Sequence, residues 1–503
     1  MHSFELSPPD SFNEQLVRHV HPPGWQNPTP RDVYNLVVIG GGTAGIISAL
    51  GTAGLGGSVA LVERHLLGGD CLNFGCVPSK ALLRAARAAY DVAHSPQFGV
   101  PGRLDGPIIF SEVMQRMRRL RAEISAHDSA ARFQSLGVDV HLGDARFTGP
   151  QAMEVGGQTL RFRRCVIATG GRAATPEVPG LKAAGFLTNE TVFSLTELPR
   201  RLAIIGGGPI GCELAQAFRR FGSEVHLIQR GARLLAKDDP AASQVVAEQF
   251  RSEDIATWLN AIVRRVESFA DGKQLTLETA GDCTTLIVDE ILVAAGRAPN
   301  VEGLGLEAAG VKHGSRGIEV NDFLQTTNGR IYAAGDIVGK QQFTHAADAM
   351  ARLCIQNAFF FGRKRLSKLV MPWTTYTDPE VAHVGLTAEA ARERGIEVTS
   401  YREDLRSVDR AVLDGEQEGF AIVHCRRGTG QVVGATIIAR HAGEMIGEIT
   451  LLMNRSLSLG ALASVIHCYP TQVEVLKRIA DQYNKTRLTP RVAWLLKAVL
   501  RWR

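Results

Sequence analysis

Two cysteines five residues apart stand in the run Gly68-Gly69-Asp70-Cys71-Leu72-Asn73-Phe74-Gly75-Cys76-Val77-Pro78-Ser79-Lys80, which passes straight into the helical stretch ALLRAARAAYDVA. Thiols so spaced at a helix start can close a small disulfide. On reduction, the positive end of the helix and Lys80 favour a thiolate. A zinc site fits poorly, because it usually has closer Cys pairs and a second pair. A plant-type iron–sulfur run needs Cys where this chain has Ser79. The bland alternative is two ordinary buried cysteines. The chain has eight Cys. Residues 1–31 are polar and Pro-punctuated, without the basic-then-apolar plan of a secretory signal, and are expected to drape over the body. Together these point to the cytoplasm, where any disulfide should be catalytic.

The elements that position these thiols begin just upstream. Setting Tyr34–Arg64 above Arg200–Arg230, an offset of 166, matches 11 of 31 residues. Each copy opens with a continuous apolar run, as a parallel strand buried on both faces should. G-x-G-x-x-G follows at once, as Gly40, Gly42, Gly45 and as Gly206, Gly208, Gly211. Such glycines allow a tight turn and let backbone approach a pyrophosphate at the positive end of the next helix. A lone motif is weak evidence, but each copy has the required strand before it and helix and strand after. Glu63 then stands where a carboxylate accepts hydrogen bonds from a ribose diol. Its counterpart is Gln229, followed by Arg230, a pairing that suits a 2′-phosphate and hence NADPH over NADH. Arg233 is a further candidate there. Against this, Arg64 occupies the same place as Arg230 in the first copy, so a solvated strand-end charge stays open. Two dinucleotide sites in one chain imply hydride traffic between two cofactors, with a flavin the natural second party.

Length and composition bound the rest. A chain of 503 residues suggests two to four domains of about 100–200 residues. With 45% hydrophobic and 21% charged residues it is globular, neither disordered nor collagen-like. Its net charge of +5 is small for this length, so nucleic acid is not an expected partner. Glycine is abundant, at 52 residues. The uncharged stretch 36–62 is long enough for a membrane span, but eight of its residues are Gly. It reads instead as strand, turn, helix and strand.

The segment GGDCLNFGCVPSK resembles the signature of the pyridine nucleotide-disulfide oxidoreductases, the family of dihydrolipoamide dehydrogenase, glutathione reductase and mercuric reductase. Other markers follow in the family's order over residues 33–485. Ala168-Thr169-Gly170 resembles the first crossover, Ala295-Gly296-Arg297-Ala298-Pro299-Asn300 the segment closing the NAD(P)H domain, and Ile331-Tyr332-Ala333-Ala334-Gly335-Asp336 the second FAD motif. The resemblance implies an α/β fold with two Rossmann-like dinucleotide-binding domains, for FAD and NAD(P)H, and an α+β C-terminal dimerisation domain. The implied boundaries are an extension over 1–32, FAD domain over 33–180 and 297–365, NAD(P)H domain over 181–296, interface domain over 366–485 and basic tail over 486–503. It implies a homodimer with shared active sites. Gly69, Gly170, Gly296 and Asp336 join the cofactor-binding residues, Asp336 holding the ribityl chain. Glu213 matches the Glu that pairs with the flavin-side Lys, here Lys80. Cys76 is implied to be the charge-transfer thiolate beside the flavin, and Cys71 the interchange thiol that meets substrate.

The C-terminal loop departs from most of the family. Disulfide reductases place His directly before Pro-Thr, with Glu four residues beyond the Pro, as the acid/base pair. Here the order is His467-Cys468-Tyr469-Pro470-Thr471-Gln472-Val473-Glu474, so Pro470, Thr471 and Glu474 align but Tyr469 replaces His. A phenol with a pKa near 10 is a poor base at neutral pH. Mercuric reductase carries Tyr there too, in a Tyr-x-Thr-x-Val-Glu arrangement that this chain matches. Two of that enzyme's features have no counterpart here: a Met-x-Cys-x-x-Cys carrier domain before the core, and a vicinal Cys pair at the C-terminus. His467 is a candidate acid, though an ordinary loop histidine is the commoner outcome. Cys468 is a candidate third thiol, against simple packing. The tail from Thr489 is basic and Trp-bearing; it either docks on its own domain or touches a membrane or partner.

The expectation is thus an FAD enzyme taking electrons from NADPH through Cys71–Cys76 to a thiol-reactive acceptor. Hg(II), held transiently by the two sulfurs, is the first candidate. The rivals are a reductase of a low-molecular-weight or lipoyl disulfide, and a flavoprotein redox sensor or binding partner.

Overall fold

The computed structural model describes residues 6–102, 106–339, 341–360 and 362–502. It divides into two compact units, one of residues up to 230 with 261–368, the other of residues 231–260 with those from 369 onward.

The N-terminal extension is more ordered than its composition suggests. Helix α1 (Ser11–Val20), capped by the Asp10 side chain on Asn13 N–H, buries Leu16, Val17 and Val20. Trp25 donates to the carbonyl of Val140, and Asn27 exchanges two hydrogen bonds with Leu142. The chain then enters strand β1 (Tyr34–Ile39), helix α2 (Thr43–Gly54) and strand β2 (Val59–Glu63). Stretch 36–62 is therefore the expected strand–helix–strand unit. Among the described residues no helix is long and apolar enough to cross a membrane. Next come α3 (Gly69–Asn73), α4 (Cys76–His94) and α5 (Phe110–Ser125). Strands β3 (Val138–Leu142), β4 (Ala145–Gly149), β5 (Ala152–Val155) and β6 (Gln158–Ile167) complete a sheet of order β3-β2-β1-β6-β5-β4. Its β3, β2, β1 and β6 run parallel, and β2 is buried along its whole length, which its unbroken apolar run requires.

The second copy repeats this plan in strand β7 (Arg201–Ile205), helix α6 (Pro209–Phe221) and strand β8 (Glu224–Gln229). The register is repeated too. Leu36 pairs with Val59 in the first copy, and Leu202 with Val225 in the second, each at the 166-residue offset. Strand β9 (Glu290–Val293) adds to β7 in parallel. Strand β10 (Ile331–Ala333) returns to β6 of the first sheet, and α7 (Thr344–Phe359) follows it. The expected pair of Rossmann-like domains is thus present.

The second unit is α+β. Its antiparallel sheet is built from β11 (Pro372–Thr375), β12 (Glu380–Gly385), β13 (Val398–Asp404), β14 (Phe420–Arg426) and β15 (Val432–Ala439), in the order β11-β12-β15-β14-β13. Helices α8 (Ala442–Asn454) and α9 (Glu474–Thr486) share one apolar core with it, through Ile449, Leu476, Val423 and Ile437. Helix α10 (Pro490–Trp502) follows and buries none of its side chains.

Candidate active site

The two nucleotide loops are shaped by their glycines in the same way. A Cβ on Gly45 would lie 1.7 Å from the carbonyl oxygen of Gly40, and one on Gly211 1.9 Å from that of Gly206. Helix and strand therefore approach too closely for any side chain there. The middle glycines differ. Gly208 has nothing within 4 Å of a hypothetical Cβ, and Gly42 only Gly69 Cα at 3.6 Å. Both have ordinary backbone angles, with φ −83° in each copy. The protein itself does not demand glycine at these two positions. Each opens a helix and leaves an N-terminal cradle free, which fits a pyrophosphate approaching the backbone.

The residue ending each second strand points back into its loop. Glu63, buried, accepts from Gly41 N–H at 2.5 Å and from His65 N–H at 2.7 Å. Burial pushes its carboxyl above the usual range, while the two N–H donors pull the other way. Gln229 accepts from Gly207 N–H at 3.1 Å, and Arg230 beside it is exposed.

Cys76 is the first residue of α4, whereas Cys71 sits one short helix earlier, in α3. Both cysteines are free thiols, and Thr344 Oγ1, at the start of α7, lies 3.3 Å from Cys76 Sγ. Two helix N-termini thus converge on one sulfur. Cys76 is brought down to about 6, and a hydrogen bond from the Cys71 thiol is the largest of the influences on it. Thr344 and Lys80 act in the same sense; burial and Asp70 oppose them. The same bond, with burial, drives Cys71 upward. Lys80 is therefore a lesser contributor than its place in the sequence suggests. Its ammonium lies 2.7 Å from Glu213 Oε2 on α6, so its charge is shared.

Arg297, as the hub joining Asp336 to Asp70, is what the sequence reading missed. This largely buried guanidinium reaches Asp336 at 3.0 Å, Asp70 at 3.2 Å and the carbonyl of Gly171 at 2.9 Å. It ties the cysteine segment to the crossover and to the second FAD motif. Asn189 holds Asp70 from the other side, at 2.9 Å. The signal for Arg297 was its place in AGRAPN; Thr344 and Asn189 carried none. Gly170 and Gly296 both take positive φ, at +67° and +121°, in the turns flanking this arginine's strand contact with residues 171–173.

In the second unit, Tyr469 and Glu474 share a network. Tyr469 donates to Asp409 Oδ2 at 2.8 Å, and that bond raises its pKa. Glu474, opening α9, holds Arg478 at 3.1 Å, and Arg478 lies 3.9 Å from Asp409. Glu474 Oε2 is buried with no hydrogen-bond partner. His467 stands apart: its side chain is 4% exposed and its Nε2 pairs with Glu448 at 3.1 Å. Cys468 is exposed, and Arg233 is bonded to the carbonyl of Ala236.

Two dinucleotide cradles and a thiol pair braced between helix starts define an electron-transferring α/β enzyme. The chain belongs to the pyridine nucleotide-disulphide oxidoreductase family, whose pattern matches residues 34–351 and whose dimerisation domain matches residues 371–480. Its members are FAD-dependent and take electrons from NAD(P)H. The chain is 34% identical to a mercuric reductase of Bacillus cereus over 453 residues, 90% of this chain and 72% of that one. It is also 34% identical to a dihydrolipoyl dehydrogenase of Chlamydia muridarum over 456 residues, 88% and 95% of the two chains. Among solved structures it resembles the Cu(II) complex of the HOCl-induced flavoprotein disulfide reductase RclA from Escherichia coli. That match has a TM-score of 0.79 and 26% identity, over 90% of this chain and all of the other.

Proposed function

We propose that the protein is a homodimeric, cytoplasmic NADPH-dependent flavoenzyme that reduces Hg(II) through Cys71 and Cys76. FAD would rest on Gly40, Gly42, Gly45, Glu63 and Asp336, and NADPH on Gly206, Gly208, Gly211, Gln229 and Arg230. Bound there, the flavin supplies a two-electron carrier between nicotinamide and disulfide. The chain's own residues do the rest. Cys76, its thiol drawn down to about 6 in the reduced pair, is the flavin-side sulfur, and Lys80 and Glu213 fix the charge beside it. Cys71 is the thiol presented to substrate. Two sulfurs can hold a soft cation directly, without a proton being delivered to any leaving group. Tyr469 and Glu474 would complete the site across the dimer.

Tyr469 is the observation that carries this reading. A disulfide acceptor needs an acid to protonate its leaving thiolate. Tyr469, with its pKa raised by Asp409, is badly suited to shuttle that proton near neutrality. His467, the substitute acid, is buried against Glu448. Overall identity does not choose, since the mercuric reductase and the dihydrolipoyl dehydrogenase are equally similar.

The test is turnover with Hg(II) and with a panel of disulfides in Tyr469→Phe and His467→Ala variants. Tyr469→Phe should cost Hg(II) reduction about tenfold or more, as expected for a removed contact of ~1.4 kcal/mol, while His467→Ala leaves it within about twofold. Disulfide turnover that is substantial in the wild type and lost only in the His variant would overturn the proposal.

A further inference from the structure

Helix α10 lies beyond residue 480, where the match to the family's dimerisation domain ends. Thr489 starts it, its carbonyl accepting from Ala493 N–H at 2.8 Å, and Pro490 occupies the first turn, where a missing N–H costs nothing. At about 100° per residue, Val492, Leu495, Leu496, Val499, Leu500 and Trp502 fall on one half of the helix. Lys497 and Arg501 fall on the opposite half, with Trp494 beside them and Arg491 at the boundary. Leu500 is 75% exposed and Trp502 94%. An apolar half-cylinder of this kind is not left in water without a use.

Charge says what covers it. Residues 482–503 contain no Asp or Glu, and residues 487–503 carry five Lys or Arg. A second copy of the helix would supply apolar surface but no carboxylate for Arg491, Lys497 or Arg501. An anionic headgroup layer supplies both an apolar phase and the counter-charge, and indole rings favour that boundary. Thirteen residues reach only about 20 Å, short of the ~30 Å needed to span hydrocarbon, so the helix would lie flat in the interface.

We propose that α10 docks the enzyme on an anionic lipid bilayer, its Leu/Val/Trp502 face in the acyl boundary and its cations among the headgroups. The test is co-sedimentation of the flavin-loaded full chain with phosphatidylcholine vesicles, with and without phosphatidylglycerol. Binding should require phosphatidylglycerol and vanish near 1 M salt, where the screening length is about 3 Å. Lys497→Gln with Arg501→Gln should weaken it about thirtyfold. Leu495→Glu with Val499→Glu should abolish it. Neither pair should alter flavin reduction by NADPH. Failure to bind the anionic vesicles would overturn the proposal, as would binding that ignores both lipid charge and the cation variant. An assembly in vesicle-free solution that the Leu495/Val499 variant dissolves would assign the face to a second copy instead.

Discussion

The two glycine loops have the same backbone and different chemistry. Gly40 N–H reaches the carbonyl of Val62 at 2.8 Å, and Gly206 N–H that of Ile228 at 2.8 Å. In both, the side chain ending the second strand accepts a hydrogen bond from the residue between the first two glycines. Glu63 does so as a buried carboxyl, Gln229 as a half-buried neutral amide followed by an exposed cation. The loop's shape therefore depends only on an oxygen at that position, and both residues supply one. What the difference changes is charge, and charge decides which ribose substituent is tolerated. The surroundings diverge as well: the first copy runs on into the cysteine segment, with Gly69 packed on Gly42, and the second sends Glu213 back to Lys80.

The middle glycines give the sharpest test that both loops serve ligands. Gly42→Ala and Gly208→Ala each meet no protein atom closer than 3.6 Å. Both variants should therefore fold, with a loss of about 1 kcal/mol for alanine at a helix N-cap. Gly42→Ala should purify without flavin, visible as lost absorbance in the visible range. Gly208→Ala should keep its flavin and lose NADPH affinity by about a hundredfold, or ~2.7 kcal/mol. Both variants retaining normal cofactor binding would break the assignment of the loops.

Exchanging the chemistry at the strand ends comes next in size. In Gln229→Glu with Arg230→Ala, the hydrogen bond to Gly207 is retained, but a 2′-phosphate meets a carboxylate and loses its cation. At partly exposed positions each change is worth about 1 kcal/mol or somewhat more. The ratio of flavin-reduction efficiency with NADPH to that with NADH should fall about a hundredfold in stopped-flow traces. If the wild type already reduces its flavin as well with NADH, the cation is only a solvated strand end.

Much of this was legible in the sequence because buried parallel strands and phosphate loops leave a local record. An apolar run, three spaced glycines and a strand-ending polar residue need no distant partner to be recognised, and the 166-residue repeat doubled the signal. The cysteine site was legible only in part. Cys71, Cys76 and Lys80 are neighbours in the chain, but Thr344, Asn189 and Arg297 arrive from segments more than a hundred residues away. Thr344 and Asn189 are brought in by the strand crossover and left no local pattern, whereas Arg297 stood in AGRAPN without showing what it would reach. The helix start and Lys80 could be read as favouring a thiolate, but the larger parts played by Cys71 and Thr344 could not. Over residues 6–31 the extension was hard to read as structure, because its polar, Pro-rich stretches are held by distant partners such as Val140 and Leu142.

That Lys80–Glu213 link gives the smallest predicted effect. In the reduced wild type, Cys76 is deprotonated above its pKa of about 6 and regains its proton as pH falls through that value. Alkylation mapped by mass spectrometry should therefore have its midpoint for Cys76 near pH 6, while Cys71, raised by the same hydrogen bond, reacts only at far higher pH. Glu213→Gln removes the negative charge compensating Lys80, leaving a stronger field at Cys76. The midpoint should move down, by about half a pH unit, since Cys71 and Thr344 hold Cys76 low more strongly than Lys80 does. A shift upward would mean that Glu213 chiefly holds Lys80 in place, so that the second nucleotide unit tunes the thiol by position and not by charge.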